Sequence, residues 1–380
     1  MQNATVNSIR GRLLRTYPLS LSATYLKHWS VVDGVREILQ NALDHGGLGN
    51  TTWGMGEEEG TGYMVVGTPD IQLHPSVLLL GNGTKSEDCG KLGGFGEGLK
   101  VALLILARNG LTVRIINGDK IWIPEFKEDP DFGAKMLHIE EYENLSEPVG
   151  LSIEIECLSQ TELDSIISRT LHLQGALSPE NIISTTKGDI LQEEQFSGKV
   201  FVGGLYICDS GMKSGYNFKP ETVTLNRDRQ TLSNWDMKTL TERMWLEEGS
   251  PEVVVSMCLD KVDDISHLQY EYSYPEDVTE EALKTHIKLH GDVPIADTKS
   301  QLDMMIKDGY TDTAFIGNEN FSNLVRAAKS YKEVPKEIVK TPKEILKEFA
   351  SDWFEDSDQA IRAPLEAVEA LIQLSEGWRA

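Results

Sequence analysis

The chain has 380 residues, of which 40% are hydrophobic and 25% charged, and a formal net charge of -24 at pH 7. This length predicts two or three domains with sizeable cores. The acidic balance disfavours a nucleic acid or an anionic membrane surface as the partner. No apolar run reaches membrane-spanning length, and the four cysteines form no metal-type pair. We therefore expect a cytoplasmic protein without a membrane partner.

The N-terminal segment differs in charge from the rest of the chain. Residues 1–32 carry Arg10, Arg12, Arg15 and Lys27 and no acidic residue. The sequence favours a solvated arm, and the alternative is an arm that reaches an acidic partner.

The first predicted helix covers "WSVVDGVREILQNALDHGG". Its apolar residues recur at helical spacing, and Gly46 and Gly47 end the pattern. "TGYMVVGTP" and "LTVRIING" are predicted strands, because β-formers are bounded there by turn residues. "PVGLSIEIECL" alternates apolar and polar residues, which predicts a half-buried strand.

The pattern changes after about residue 160. "TELDSIISRTLHL" predicts a helix, "GDIL" and "KVFVGGLYICD" predict strands, and "MKTLTERMWLEE" predicts another helix. The last third is predicted to be mostly helical. These changes divide the chain into residues 1–160, 161–260 and 261–380.

Three polar residues mark one face of the first helix. Glu37, Asn41 and Asp44 stand at positions i, i+4 and i+7 and project from the same side. An amide oxygen is a hard, neutral ligand for Mg²⁺, and a carboxylate one turn away can deprotonate a water molecule. The alternative is a polar helix face in solvent.

Glycines cluster in the segment "KLGGFGEGLK" ahead of an apolar run. Gly94, Gly96 and Gly98 enclose Phe95 and Glu97. Such a segment either cradles an anion with backbone N–H groups at the start of a helix or forms a simple turn. The segment lacks the Gly-Lys-Ser/Thr of a Walker loop and the preceding strand of a dinucleotide fingerprint.

The order "EILQNALDH", "LLLGNGTKSED", "KLGGFGEGLK", "PVGLSIEI" resembles the GHKL ATPases, the superfamily named for gyrase, the heat-shock chaperone, histidine kinases and MutL. The match spans about residues 20–160 and is nearest the MORC-like and phage rIIA-like branch. The family's N-box, Glu-x-x-x-Asn-x-x-Asp, is complete at Glu37, Asn41 and Asp44. The resemblance implies an α+β chain. A Bergerat-type α/β sandwich ATPase domain would precede a transducer-like α/β domain and a mostly helical C-terminal region.

The resemblance also implies a ligand and roles. The ligand would be ATP with Mg²⁺, Glu37 would be the general base, and Asn41 would bind the metal. Asp44 would belong to the nucleotide site. Backbone amides of the glycine segment would lie over the phosphates. The nucleotide site would therefore also include Gly94, Phe95, Gly96, Glu97 and Gly98.

Two lysines are implied phosphate contacts. Lys85 lies in "GTKS", which is similar to the segment that enters the family's ATP lid. Lys100 follows the glycine segment, and its alternative is a helix lysine in solvent. Ser152 stands where the family has threonine and keeps a hydroxyl group.

One departure concerns adenine recognition. The family has Asp-x-Gly-x-Gly after its second strand, where the aspartate accepts a hydrogen bond from the adenine amino group. Here Asp70 is the available carboxylate, and Gln72 and His74 occupy the glycine places. Either Asp70 contacts adenine from a restructured loop, or base recognition is altered.

"TLNRDRQTL" resembles the catalytic loop of the heat-shock chaperone's middle domain. The resemblance implies that Arg227 or Arg229 neutralises charge on the transferred phosphoryl group. The alternative is a salt-bridged loop at the end of a strand.

Two functions remain open. The first is an ATPase in which ATP drives a conformational change, with an ATP-dependent homodimer and an unidentified protein partner. The second is a non-catalytic module in which the nucleotide gates a protein-binding surface, as in a phage-encoded protein that modulates its host. The altered adenine segment favours the second function, and an intact Glu37 favours the first.

Overall fold

The computed structural model describes residues 10–58, 60–79, 97–131, 133–147, 149–175, 177–224, 232–271, 273–307, 310 and 312–332. The chain divides into two compact units. The first contains residues 1–249 and 262–265, and the second contains residues 250–261 and 266–380. The predicted boundaries at residues 160 and 260 stay a prediction.

Seven strands of the described part of the first unit form one antiparallel sheet. They are β1 (Arg10–Ser22), β2 (Thr52–Glu58), β3 (Thr61–Thr68), β4 (Thr112–Gly118), β5 (Lys120–Asp129), β6 (Ala134–Asn144) and β7 (Val149–Leu158). Their order is β1-β6-β5-β4-β7-β3-β2. Together with the helices, this sheet confirms the α+β class.

Strand β1 corrects the prediction of a solvated N-terminal arm. The segment pairs with β6, where Tyr17 lies opposite Ile139. Leu19 and Leu21 are each only 6% exposed and join the core of the unit. The sequence did not reveal this strand, because its arginines suggested a solvated arm. The alternating apolar residues that face the core come only after those arginines.

Three helices pack with this sheet: α1 (Val31–Asn50), α2 (Gly98–Arg108) and α3 (Gln160–Ser168). Apolar residues of α1 and α2 share one core with Trp122 and Ile155 of the sheet. A capping box starts α1, since the Asp33 carboxylate accepts hydrogen bonds from Ser30 N at 2.8 Å and from Ser30 Oγ at 2.7 Å. The predicted first helix is confirmed, and its helical geometry is interrupted at Gly47, where φ is 69°.

A second sheet belongs to the same unit. Its strands are β8 (Ile182–Ser184), β9 (Gly188–Leu191), β10 (Lys199–Val202), β11 (Leu205–Asp209) and β12 (Gly215–Phe218). The order is β11-β10-β12-β9-β8, and the β10–β12 pair is parallel. Helix α4 (Asn234–Glu248) follows. The predicted strands "GDIL" and "KVFVGGLYICD" are therefore confirmed.

A buried polar network fastens residues 262–265 to this unit. The Asp264 carboxylate accepts hydrogen bonds from Lys213 N at 2.7 Å, Ser214 N at 3.0 Å and the Tyr216 hydroxyl at 2.5 Å. Trp245 Nε1 donates to the Tyr216 oxygen at 2.8 Å. Asp264 and Tyr216 are both 0% exposed, so their hydrogen bonds within the network take the place of hydrogen bonds to water.

The second unit is mostly helical over its described residues, as predicted. It contains α5 (Pro251–Leu259), α6 (Glu276–His290), α7 (Lys299–Lys307) and α8 (Glu319–Ala327). A short parallel pair joins β13 (Ile295–Ala296) to β14 (Ala314–Phe315). Across all residues that the structure describes, no helix is both long enough and apolar enough to cross a membrane.

Candidate functional site

The polar face of α1 lies partly inside the protein. The Glu37 carboxylate belongs to a residue that is only 2% exposed, while Asn41 and Asp44 are half-buried. A carboxylate at this depth loses hydration and needs polar neighbours. The alternative of a polar face in solvent is therefore wrong for Glu37.

The start of α2 meets this face of α1 at Gly98. A Cβ atom at Gly98 would lie 2.5 Å from Glu37 Oε2 and 3.2 Å from Asn41 Nδ2. Carbon and oxygen atoms do not approach to 2.5 Å without a bond, so the missing side chain is what lets the carboxylate occupy this space. The structure thus brings Glu37, Asn41 and Gly98 together, although they come from two separate sequence motifs.

The same two helices approach closely one turn earlier in α1. A Cβ atom at Gly34 would lie 3.4 Å from the Leu106 side chain and 3.5 Å from the Ala102 carbonyl oxygen. A Cβ atom at Gly34 would thus be in ordinary van der Waals contact, and the closer approach of α1 and α2 is the one at Gly98. This spacing fixes the position of Glu37 relative to the start of α2.

Glu37 and Asn41 have local partners on α1. Arg36 Nη2 donates to Glu37 Oε1 at 3.3 Å, in an ion pair whose side chains are 12% and 3% exposed. Asn41 Nδ2 donates to the Glu37 carbonyl oxygen at 2.6 Å. The amide nitrogen is thus held by the helix, and the amide oxygen is the atom that an ion would require.

Glu97 occupies the N-cap position of α2. Its carbonyl oxygen accepts from Val101 N at 3.0 Å, and its side chain makes no capping hydrogen bond. The first N–H groups of a helix have no acceptor within that helix, so this end suits an anionic group. The Glu97 carboxylate is itself one such group and opposes a second negative charge nearby.

Lys100 is buried rather than in solvent, so the solvent alternative is wrong. The residue is 1% exposed, and its ammonium donates to the Val77 carbonyl oxygen at 2.9 Å and to the Leu79 carbonyl oxygen at 2.7 Å. Burial lowers the pKa of Lys100, and the Glu97 carboxylate opposes that shift. In the described structure Lys100 anchors the 3-10 turn Pro75–Leu78 to α2, and its contact with phosphate stays a prediction.

Asp70 and Ser152 lie near the point where β3 ends beside β7. Ser152 pairs with Gly67 in the sheet, and Asp70 follows the end of β3 as an exposed residue. Gly150 permits this crossing, because a Cβ atom there would overlap the Pro69 carbonyl group. Among the described contacts, none joins Asp70 to α1, and its adenine contact stays a prediction.

Gln72 and His74 both make contacts in the loop after β3. The Gln72 side chain packs over Gly118, whose φ is +63°, and His74 caps the following 3-10 turn through Ser76 N at 3.2 Å. Asn117 Oδ1 accepts from Leu73 N at 2.8 Å, and Asn117 Nδ2 donates to the Leu73 oxygen at 2.8 Å. These contacts give the loop its own anchors at the end of β4.

Several predicted site residues lie outside the described residues. They are Lys85, Gly94, Phe95, Gly96, Arg227 and Arg229. Their roles over the phosphates therefore stay predictions. Within the described residues, no group of three or more His, Cys, Asp or Glu residues is arranged to hold a metal ion.

Sequence reasoning missed two residues that shape the site. Arg36 stands next to Glu37 in the N-box, yet its pairing with the carboxylate depends on its rotamer and on the Trp29 ring, 5.8 Å from Arg36 Cζ. Asn117 precedes Gly118 at a strand end, a sequence that indicates only a turn. Neither role follows from spacing along the chain.

Comparisons with known proteins add one distant relative. An uncharacterized protein from Mycoplasma pneumoniae (strain ATCC 29342 / M129 / Subtype 1) is 27% identical over 229 residues, which cover 55% of this chain and 87% of that protein. No protein-family model matches the chain.

Proposed function

We propose that the chain binds Mg²⁺-ATP and hydrolyses it as a GHKL-type ATPase with a Bergerat-type fold in its first unit. The observation that supports this most is the contact of Gly98 with Glu37 and Asn41. The resemblance predicts that the N-box and the second glycine box meet at one nucleotide site. Two short motifs that matched the family by chance would not be expected to lie together in the fold.

The residues present fit the proposed ligands. Asn41 offers a neutral amide oxygen to Mg²⁺, and Glu37 offers a carboxylate one turn away. Bound Mg²⁺-ATP would supply the phosphoanhydride bond, with the ion offsetting the charge of the phosphates. Glu37 would accept a proton from a water molecule, and Arg36 would hold the carboxylate in place through its ion pair.

In this proposal the protein acts through the conformational change that ATP binding causes. Nucleotide binding would favour a state that engages a protein partner or a second copy of the chain. Hydrolysis would reset that state.

A second candidate is a nucleotide-gated binding module without turnover. The exposure of Asp70 favours it, because an adenine-binding carboxylate is expected inside a pocket.

Two variants separate these candidates. Glu37→Gln should bind Mg²⁺-ATP about as tightly as the wild type and hydrolyse it about 100-fold more slowly or worse, which is a typical contribution of a general base. Asn41→Ala should lose magnesium-dependent affinity and keep its fold. The measurements are steady-state phosphate release, nucleotide titration and thermal unfolding. Glu57→Gln, an exposed change of the same kind on β2, is the matched control.

The outcomes are distinct. Mg²⁺-ATP at about 100 times its dissociation constant should stabilise the wild type by about 2.7 kcal/mol. Tight binding with equal turnover in the wild type and Glu37→Gln would favour the binding module. If saturating Mg²⁺-ATP leaves the unfolding temperature of the wild type unchanged, both nucleotide functions fail.

A further inference from the structure

A cavity lies in the first unit beside the N-terminal part of α1. Its volume is about 420 Å³, and residues of α1, of the segment before α1, of the end of α3 and of strand β11 line it. This volume falls within the range of about 300–1,000 Å³ that is usual for small-molecule sites. Glu37, Asn41 and Gly98 do not line it, although Arg36, which does, pairs with Glu37.

The lining of the cavity is mixed and includes two guanidinium groups. Arg36, Arg169 and His28 line it, together with one carboxylate, that of Asp33. The Asp33 carboxylate is held by the N-cap hydrogen bonds from Ser30 N and Ser30 Oγ. Arg36 already pairs with the Glu37 carboxylate, and Arg169 adds a second guanidinium group to the lining. This arrangement favours an anionic ligand.

The two guanidinium groups are held by aromatic rings. Arg169 Cζ lies 5.4 Å from the centre of the Tyr206 ring, and Arg36 Cζ lies 5.8 Å from the centre of the Trp29 ring. Cation–π contacts of this kind restrict the orientation of the planar group. A planar, oriented guanidinium presents parallel N–H donors to a phosphate or a carboxylate.

The walls of the cavity are fixed by backbone hydrogen bonds. Tyr206 N donates to the Arg169 carbonyl oxygen at 2.9 Å, and Leu171 N donates to the Gly204 carbonyl oxygen at 2.8 Å. The end of α3 and strand β11 therefore keep their spacing. Burial raises the pKa of Tyr206 to about 12, and the Asp209 carboxylate bonded to its hydroxyl adds to the rise, so the ring stays neutral at pH 7.

We propose that this cavity binds the phosphate monoester of a small metabolite, with the phosphate contacting Arg36 and Arg169. Each guanidinium group can donate paired N–H groups to the oxygen atoms of a phosphate. The carbon part of the ligand would pack on the apolar part of the lining, which Val32, Leu39, Ile166 and Ile207 supply. The site is additional to the proposed ATPase site and adjoins it at Arg36, which also pairs with Glu37.

The test uses the full chain without nucleotide. Glycerol 3-phosphate, inorganic phosphate and acetate are titrated calorimetrically at constant ionic strength. We expect saturable binding of the two phosphates to the wild type and weaker binding of acetate. Arg169→Gln should bind glycerol 3-phosphate about tenfold more weakly or worse, since a charge-assisted pair is lost.

Matched variants make the result specific. Arg12→Gln removes the same charge from an exposed position on β1 and should bind like the wild type. Asn41→Ala should also bind like the wild type, because Asn41 belongs to the proposed nucleotide site. His28→Glu places a carboxylate at an exposed position of the lining and should weaken binding about threefold or more. Thermal unfolding checks the fold of each variant.

The proposal is overturned if the wild type shows no saturable binding, or if Arg169→Gln binds like the wild type. Equal affinity for acetate would replace the phosphate class by carboxylates. Loss of binding in Asn41→Ala would assign the phosphate to the nucleotide site. If Arg169→Gln does not fold, unchanged binding in His28→Glu overturns the proposal. These phosphate titrations would still test the proposal if the protein did not bind ATP.

Discussion

Gly98 is the residue on which the contact between α1 and α2 depends most. Gly98→Ala would place a Cβ atom 2.5 Å from Glu37 Oε2, so the carboxylate or the helix must move. We expect the free energy of unfolding to fall by about 1–3 kcal/mol, as in other overpacked interiors. Affinity for Mg²⁺-ATP should fall too, because Asn41 is displaced. Urea unfolding and nucleotide titration measure the two effects.

The control for this substitution is Gly49→Ala near the end of α1. Gly49 has open space where its Cβ atom would lie, and its φ is not in the left-handed region. This variant should keep both the stability and the affinity of the wild type. Equal behaviour of Gly98→Ala and Gly49→Ala would show that the close approach at Gly98 is unimportant.

Single residues of the candidate site differ in how far the sequence could predict them. Glu37 and Asn41 follow from spacing along one helix, which depends on local geometry alone. Lys100 could not be predicted, because its two acceptors, the carbonyl oxygens of residues 77 and 79, belong to a turn far back in the chain. The exposure of Asp70 likewise depends on where Pro69 crosses Gly150.

At the scale of elements, Arg108 joins the end of α2 to the loop between β1 and α1. Its guanidinium donates to the carbonyl oxygens of Ala23, Tyr25, Leu26 and Trp29 at 2.7–3.5 Å. Arg108→Ala would leave these acceptors, three of them part-buried, without their donor. We expect a loss of about 2 kcal/mol in the free energy of unfolding, measured by chemical denaturation.

The exposed residue Arg12 provides the comparison for this effect. Arg12→Ala removes the same side chain from a solvent-exposed position on β1 and should change the free energy of unfolding by about 0.5 kcal/mol or less. If both arginine variants unfold at the same urea concentration, the four carbonyl contacts of Arg108 do not stabilise the loop.

Helices and strands were predictable from the sequence where one face is buried and the apolar pattern extends over many residues. Helix α1 and strands β3, β4, β9 and β10 agree with their patterns. Strand β7 was expected to be half-buried, yet Glu154 on its polar side is only 5% exposed, because Arg114 of the neighbouring strand pairs with it at 3.0 Å. A cross-strand ion pair of this kind is set by register between distant segments and not by local alternation.

At the scale of the whole molecule, buried hydroxyl and thiol groups set the response to alkaline pH. Burial and the Asp264 carboxylate raise the pKa of Tyr216 well above its ordinary value of 10, and burial raises that of Cys258 from 9 to about 12. The fold therefore keeps protons that the unfolded chain releases. The resulting stability is complete below the unfolded pKa and is lost as pH rises through the folded pKa.

Tyr216→Phe tests this response. At neutral pH the variant should lose about 1–3 kcal/mol, since Trp245 Nε1 and Asp264 each lose a partner. Above pH 10 its unfolding free energy should fall less steeply than that of the wild type, by about 1.4 kcal/mol per pH unit. Tyr25→Phe, at an exposed position, should keep the wild-type slope. Urea unfolding at several alkaline pH values decides between parallel and diverging curves.

The return of residues 262–265 to the first unit has a consequence for recombinant fragments. A fragment that ends at Gly249 keeps the donors Lys213 N, Ser214 N and the Tyr216 hydroxyl and loses Asp264, their shared acceptor. A fragment extended to Ile265 regains Asp264 and also carries α5, whose buried apolar side chains then lack α6 and α8. A single cut thus yields either an orphaned polar network or an uncovered apolar helix, and the two units are best expressed as one polypeptide.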